Sequence, residues 1–412
     1  MTPMPSGVVI VGAGVAGVSV ATALRKDGYT GPVVLVSEEG QMPYDRPPLS
    51  KKFLLDGDAG SVRIGGAMLD SVEFVKGERI AKIDVATNRV VFASGKQLPW
   101  SKLVLATGAL PNRLVALEAG PLPVFVLRTL DDSQRIRERL VPGARLVVVG
   151  GGPIGLELAV SARQLGADVT VVEAASRLMG RCTSPFLAEF LLQHHARGGI
   201  NIRLGRYIRH VHDGGAVELD DGIRIAADLM VMGVGVKAND SIAVAAGLAC
   251  SDGIFVDALG RTTAPNVFAA GDVTRQRNPV SGHFERIETW ANAQDQAASL
   301  AVGLVEPGAA TPYTGIPWYW SDQGELRIQA AGLPISDLEV VRGDPVSGRF
   351  LTLQLRRSVL VGVAAVNSVR DFGACKRLIA AAARVDREKL TDPATDLRSL
   401  VAPAEEAARS AE

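Results

Sequence analysis

Apolar positions along the chain fall into short unbroken runs bounded by glycine. Val8-Val9-Ile10-Val11 is β-branched throughout, the mark of a strand buried on both faces of a parallel sheet, and Gly12-Ala13-Gly14-Val15-Ala16-Gly17 follows at once. Good helix formers then continue from Ser19 to Lys26 and stop at Asp27-Gly28, and Val33-Val34-Leu35-Val36 predicts the next strand, ending at Ser37-Glu38-Glu39. The same order returns further on. Arg145 to Val149 predicts a strand, Gly150-Gly151-Gly152-Pro153-Ile154-Gly155 a turn, the stretch through Leu165 a helix, and Val169 to Glu173 a second strand. The chain therefore contains an internal repeat.

Each copy has a similar sequel. Asp84 to Ala109 carries turn signals at Thr87-Asn88 and Ser94-Gly95 before Leu103-Val104-Leu105-Ala106-Thr107-Gly108, and Tyr207 to Gly235 repeats that plan with turns at Asp213-Gly214-Gly215 and Asp220-Asp221-Gly222. Each half is thus expected to be a nucleotide-binding sheet capped by a small antiparallel meander. Asn266 to Asp272 is one more short buried strand, ending in Gly-Asp. Spacing alone leaves open whether it completes the second unit or returns to the first. Glu306 to Gly315 has linker composition. Beyond it, Leu326–Ala330, Glu339–Val341, Arg349–Leu355 and Val359–Val366 predict strands and Asp371–Ala383 a helix, an α+β domain with a tail after Ala402 expected to fray.

Composition narrows the class. A chain of 412 residues, 47% hydrophobic, suggests two or three globular domains. Lysine plus arginine equals aspartate plus glutamate at 44 each, which removes the electrostatic reason to expect nucleic acid or an anionic membrane as partner. The apolar runs are too short to cross a bilayer, and the residues before Val8 lack a basic n-region, so a cytoplasmic location is expected. Cys182, Cys250 and Cys375 form no closely spaced pair and are expected to be buried small hydrophobes. His194, His195, His210, His212 and His283 have no metal-ligand spacing, and no metal is assigned.

The glycine turns carry the chemistry. In a strand-turn-helix context the first glycine of each motif (Gly12, Gly150) makes the turn, the second (Gly14, Gly152) admits a pyrophosphate, and the third (Gly17, Gly155) lets helix and strand pack closely. Glu38 and Glu173 follow at the end of the next strand, where a carboxylate can accept both hydrogen bonds of a ribose diol. Glu173 favours NADH over NADPH, with Arg177 near enough in sequence to serve a 2′-phosphate instead.

These residues resemble the two-dinucleotide-domain flavoprotein reductases of the glutathione-reductase-like class, with Ala106-Thr107-Gly108 and Ala270-Gly271-Asp272 similar to that class's conserved motifs. The disulfide branch carries a C-x₄-C near the helix after the first unit. This chain instead reads Tyr44-Asp45-Arg46-Pro47-Pro48-Leu49-Ser50-Lys51, so no thiol pair there can take electrons from a flavin. That run, together with Phe284 to Trp290, Pro317 to Gln323 and Val366 to Phe372, resembles the oxygenase-coupled ferredoxin reductases.

The resemblance implies two Rossmann-like dinucleotide-binding domains and a C-terminal α+β domain: residues 1–112 and 239–316 for FAD, 113–238 for NADH, and 317–412 for docking a [2Fe–2S] ferredoxin. It implies FAD contacts at Ala16, Arg46, Thr107, Gly108, Arg128 and Asp272, and also at Glu288, Thr289, Trp290 and Trp320, beside the glycines and Glu38. It places Lys51 near the flavin N5 and Ile154, Glu157 and Gly235 near NADH. Lys51, Glu157 and Trp320 are the expected catalytic set, Glu157 orienting the nicotinamide or restraining a loop and Trp320 lying between flavin and ferredoxin; Trp318 is expected in the core. The implied activity is NADH:ferredoxin reduction, since a hydride brings two electrons together and an iron–sulfur centre takes them singly. A terminal aromatic-ring-hydroxylating dioxygenase is the expected destination and a cytochrome P450 the nearest rival. A direct NADH oxidase or quinone reductase is a further alternative, and a redox-responsive binding protein is disfavoured by the neutral charge.

Overall fold

A computed structural model of the protein describes residues 7–400; the run before Gly7 and the tail after Ala402 lie outside the described residues. The chain divides into two compact units. One comprises the chain up to Pro47, Asp58–Leu110 and Val236–Pro317; the other comprises Pro48–Gly57, Pro111–Gly235 and the chain from Trp318 onward.

In the first unit Gly7–Val11, buried throughout, pairs in parallel with Val33–Ser37 on one side and Gln97–Leu105 on the other. Glu73–Lys76 extends one edge. Val267–Ala269 pairs in parallel with Leu103–Leu105, which resolves the alternative left by spacing: the Gly-Asp strand returns to the first sheet. The long strand Gln97–Leu105 also leaves the parallel sheet to join the antiparallel meander of Ile80–Asp84 and Arg89–Phe92. Helix Val15–Lys26 packs against helix Trp290–Val305 over a core containing Ile10, Leu24, Leu35, Val104 and Leu300.

The second unit repeats the plan. Its parallel sheet runs Asn201–Leu204, Asp168–Glu173, Arg145–Val149, Leu229–Met232, Val124–Val126, beside the meander Ile208–His212, Ala216–Leu219, Arg224–Ala226. Five antiparallel strands follow in the order Trp318–Gln323, Leu326–Gly332, Val359–Val366, Arg349–Arg356, Leu338–Asp344, with helix Val369–Ala380 against them. This sheet shares a core with the second repeat, where Leu156, Leu187 and Leu191 meet Leu326, Ile328 and Phe350. That shared apolar surface explains why the C-terminal segment groups with the second repeat.

The segment Pro48–Gly57 is bound to the second unit by equally local forces. Leu54 is fully buried beside Ile136, Leu140 and Leu158, the Ser133 hydroxyl donates to Leu49 O at 2.7 Å, and the Ser161 hydroxyl donates to Ser50 O at 2.8 Å.

Candidate functional site

Both glycine fingerprints have the geometry their spacing predicts. Gly12 and Gly150 have φ of +108° and +110°, which L side chains rarely adopt, and a Cβ on either would lie 2.1 or 2.5 Å from a carbonyl oxygen of the neighbouring strand end. A Cβ on Gly17 would lie 1.8 Å from Gly12 O, and one on Gly155 2.2 Å from Gly150 O, so helix and turn touch there. Gly14 and Gly152 differ: a Cβ at either would meet nothing within 4 Å. Each is the N-cap of its helix with no side-chain cap, and neither helix has an acid in its first turn. Open space over polarised backbone N–H groups suits a pyrophosphate, and the residues present fit a dinucleotide in each unit.

The acids that follow are held differently. Strand register pairs Val11 with Val36 and Val149 with Val172, so the position of Glu173 in the second unit corresponds to Ser37 in the first, one residue before Glu38. Glu173 accepts from Gly151 N at 2.6 Å and from Ala175 N at 2.7 Å, which fixes its carboxylate beside its own glycine turn. The Arg177 guanidinium donates to Gly180 O at 2.8 Å. Glu38 is exposed, whereas Glu39 is half-buried, receives Arg46 at 2.7 Å and bonds the Tyr44 hydroxyl.

Around the first fingerprint the chain's return builds the rest of the unit's site. A Cβ on Gly271 would lie 2.8 Å from the Ala16 side chain, so Asp272 begins beside the fingerprint helix. A buried ladder of amides holds it there: Gln296 Oε1 accepts from Gly271 N at 2.8 Å, Gln296 donates to Gln276 at 3.0 Å, and Gln276 donates to Asn292 at 2.7 Å. Sequence reading missed Gln276, Asn292 and Gln296, because glutamines and an asparagine on a helix and a strand give no signal until their burial is seen. The Thr107 hydroxyl donates to Asn239 O at 2.7 Å, and Asn239 N donates to Gly108 O at 3.0 Å, which ties the Ala-Thr-Gly turn to the returning segment. Thr289 caps helix Trp290–Val305 through Asn292 N, Glu288 pairs with Arg286 at 2.7 Å, and Trp290 Nε1 donates to Asp45 at 2.8 Å. Burial pushes the Asp45 carboxyl above its usual range, opposed by that indole N–H.

In the second unit Ile154 is about half exposed, Gly235 adopts φ of +88° with its carbonyl accepting from Asn112 N, and Arg128 precedes the Thr129 capping box of helix Leu130–Arg139. The chemistry concentrates at Glu157. Helix Pro153–Gln164 carries this side chain into the protein, where it is only 5% exposed. Oε1 accepts from Lys51 Nζ at 3.1 Å and from the Ser321 hydroxyl at 2.7 Å; Oε2 accepts from the Ser50 hydroxyl at 2.5 Å. Burial pushes the Glu157 carboxyl up, and the Lys51 charge with the two hydroxyls pulls it back. Lys51 Nζ also lies 3.6 Å from Asp322 and 5.9 Å from the Trp320 ring centroid. Ser50, Ser321 and Asp322 are site residues the sequence reading did not single out.

Trp318 departs from expectation. It is half-buried rather than in the core, its ring covered by the Lys376 ammonium at 4.4 Å and flanked by Trp320 and Phe372 at 5.9 and 6.0 Å. The reason is that its strand buries the opposite set, Ser321 and Gln323, at 0 and 1% exposure. Of the three cysteines expected to be buried only Cys375 is, Cys182 and Cys250 being half-buried; burial holds the thiols of Cys250 and Cys375 up at about 11 and about 12, and none of the three is in a disulfide. Among the described residues no group of three or more His, Cys, Asp or Glu side chains is arranged to hold a metal ion, and no helix is long and apolar enough to cross a membrane.

Known proteins resemble this chain over nearly its whole length. Residues 6–297 match the family model for pyridine nucleotide-disulphide oxidoreductases, and residues 318–401 match a reductase C-terminal domain. The chain is 38% identical over 95% of its length to the ferredoxin–NAD(+) reductase component of the p-cumate 2,3-dioxygenase system of Pseudomonas putida, covering 98% of that protein. It is 40% identical, over 95% of its length and 98% of the relative, to the corresponding component of the anthranilate 1,2-dioxygenase system of Burkholderia cepacia. Among solved structures, the ferredoxin reductase for the CYP199A2 system from Rhodopseudomonas palustris superposes with a TM-score of 0.92 at 36% identity, covering 97% of this chain and 100% of that one. Putidaredoxin reductase in its covalent complex with putidaredoxin gives 0.91 at 32% identity, covering 99% of both chains. With its two fingerprints, its returning Gly-Asp strand and its appended antiparallel sheet, the chain belongs to the pyridine nucleotide-disulphide oxidoreductase family.

Proposed function

We propose that the chain is an NADH:ferredoxin reductase serving an aromatic-ring-hydroxylating dioxygenase system, working in the cytoplasm where NADH is supplied. The observation that carries this reading is the site after the first fingerprint: Ser50 and Lys51 stand there, bonded to the buried Glu157, in place of a thiol pair. The length-wide similarity to reductase components of two dioxygenase systems supports the same acceptor.

In this reading the first unit holds FAD at Gly12, Gly14, Gly17 and Asp272, and the second holds NADH at Gly150, Gly152, Gly155 and Glu173. FAD, when bound, supplies the conversion of a hydride's electron pair into single-electron donations. Lys51 offers a fixed positive charge to anionic density that develops near it, and its pairing with Glu157 and Asp322 holds the ammonium in one place. Glu157, with all three of its donors in place, positions Lys51 and is not required to move a proton. Trp320 and the Lys376-covered Trp318 present aromatic and cationic surface on the C-terminal sheet, chemistry suited to an acidic protein partner.

The test is anaerobic mixing of the flavin-loaded protein with NADH, followed by addition of a [2Fe–2S] ferredoxin from a dioxygenase system. Flavin bleaching by NADH and re-oxidation by ferredoxin far faster than by air are expected. Failure to bleach, or equal turnover with air and with ferredoxin, overturns the reading. The likeness to the reductase of the CYP199A2 system gives a second reading, a P450-linked ferredoxin, and a side-by-side comparison of the two ferredoxin types separates them.

A further inference from the structure

Glu157 lies at one end of a hydrogen-bond chain that continues past the groups discussed so far. Ser321 Oγ is 3.0 Å from Gln323 Nε2, and Gln323 Oε1 is 2.7 Å from His195 Nε2. All members are buried: Gln323 is 1% exposed and His195, on helix Pro185–Arg197, is 2% exposed. His195 is a buried titratable side chain for which the proposed reaction has no use.

The chain has only one consistent direction. An ionised Glu157 can only accept, so the single Ser321 proton points to it. Ser321 Oγ must then accept from Gln323, which leaves the Gln323 amide oxygen facing His195. An amide oxygen cannot donate, so His195 Nε2 must carry a proton. We propose that Gln323 and His195 are positioning residues for Glu157: the imidazole fixes the Gln323 amide, the amide fixes the Ser321 hydroxyl, and the hydroxyl fixes the carboxylate that holds Lys51. The inference rests on the proposed reading in one respect, that Lys51 and Glu157 serve the NADH reaction.

The surrounding charges are compatible with this direction. The charged groups facing Glu157 are Lys51 at 3.1 Å and, through it, Asp322. His195 faces the His194 ring at 5.5 Å, and His194 in turn lies 3.8 Å from Glu325 and near Arg197 on the same helix. Burial, the largest effect, holds His195 down at about 4, so it is neutral at working pH and carries one ring proton.

The direct test needs no variant. In holoenzyme labelled with ¹⁵N-histidine, His195 is expected as the neutral tautomer protonated at Nε2 between pH 6 and pH 8; a ring protonated only at Nδ1 overturns the proposal. A second test uses the variants Gln323→Met and His195→Phe. The Glu157 carboxyl is followed by infrared titration, its band identified by its loss in Glu157→Gln. In each variant the midpoint is expected to rise by about 0.5 pH unit or more, because a donor to the charged form has been weakened, and the acid limb of the rate of flavin bleaching by NADH is expected to move with it. An unchanged midpoint in folded variants overturns the proposal, and the tautomer decides it if they do not fold. Neither the tautomer nor the midpoint depends on ferredoxin, so failure of the ferredoxin assay alone sinks the functional reading and leaves this inference standing.

Discussion

Lys51 and Glu157 are more than 100 residues apart in sequence, yet each is the main charge the other meets. A buried pair of this kind costs desolvation on both sides, and removing one partner leaves the other charge uncompensated. Lys51→Met is therefore expected to lower stability by about 3 kcal/mol or more, read as a fall in the urea midpoint, while Lys51→Met with Glu157→Leu recovers most of the loss. A double variant as unstable as the single one would show that Lys51 contributes packing rather than charge compensation. His195 makes a second prediction, with a definite sign. Its folded value of about 4 lies below its usual 6.5, so the unfolded chain binds the proton first as pH falls. The contribution is present in full above 6.5, is lost progressively below it and is gone at about 4, amounting to about 3 kcal/mol. His195→Phe should flatten that part of the stability–pH curve.

The fingerprints show how much a local pattern can specify at the level of an element. Strand, turn and helix were legible because each glycine answers a separate steric demand, and the structure separates those demands by position. Gly14 has φ −74°, ordinary for any residue, and open space around it, whereas Gly17 has a carbonyl where a Cβ would sit. Gly14→Ala is thus expected to change apoprotein stability by less than about 1 kcal/mol and to lose FAD on dialysis; Gly17→Ala is expected to destabilise the apoprotein itself. Equal loss of stability in both variants would contradict the assignment of Gly14 to the cofactor. Gly152→Ala, in the second unit, should raise the KM for NADH while leaving flavin content unchanged. The strand Trp318–Gln323 marks where the pattern fails. It puts serine and glutamine inside and leaves tryptophans half-exposed, so a reading that looks for apolar residues on the buried face passes over it, and with it over Ser321 and Gln323. Polar residues are buried there because they complete a hydrogen-bond chain, information that exists only once the partners are assembled.

For the whole molecule, topology was the part that local sequence could not supply. Whether Val267–Ala269 joins the first or the second sheet depends on which edge is free, and that the Lys51 segment is bound to the second unit depends on Leu54 finding Ile136 and Leu158. The class of the molecule and its two glycine turns were legible because they are written in repeats; the cross-connections were not, because single contacts made them. Net charge, by contrast, is a whole-molecule property readable directly from sequence, and it makes a last prediction about association with the partner. With 44 basic and 44 acidic residues the protein has no net charge to steer a charged ferredoxin from a distance. Only local groups such as Lys376 over Trp318 act at encounter, and their field is screened beyond about 10 Å in 0.1 M salt. The second-order rate of ferredoxin reduction, measured by stopped flow, should therefore fall less than about tenfold from low to high ionic strength. Lys376→Gln should lower it at low salt and matter little at high salt. A steep salt dependence that survives Lys376→Gln would mean that a basic surface other than the Lys376–Trp318 corner of the C-terminal sheet receives the partner.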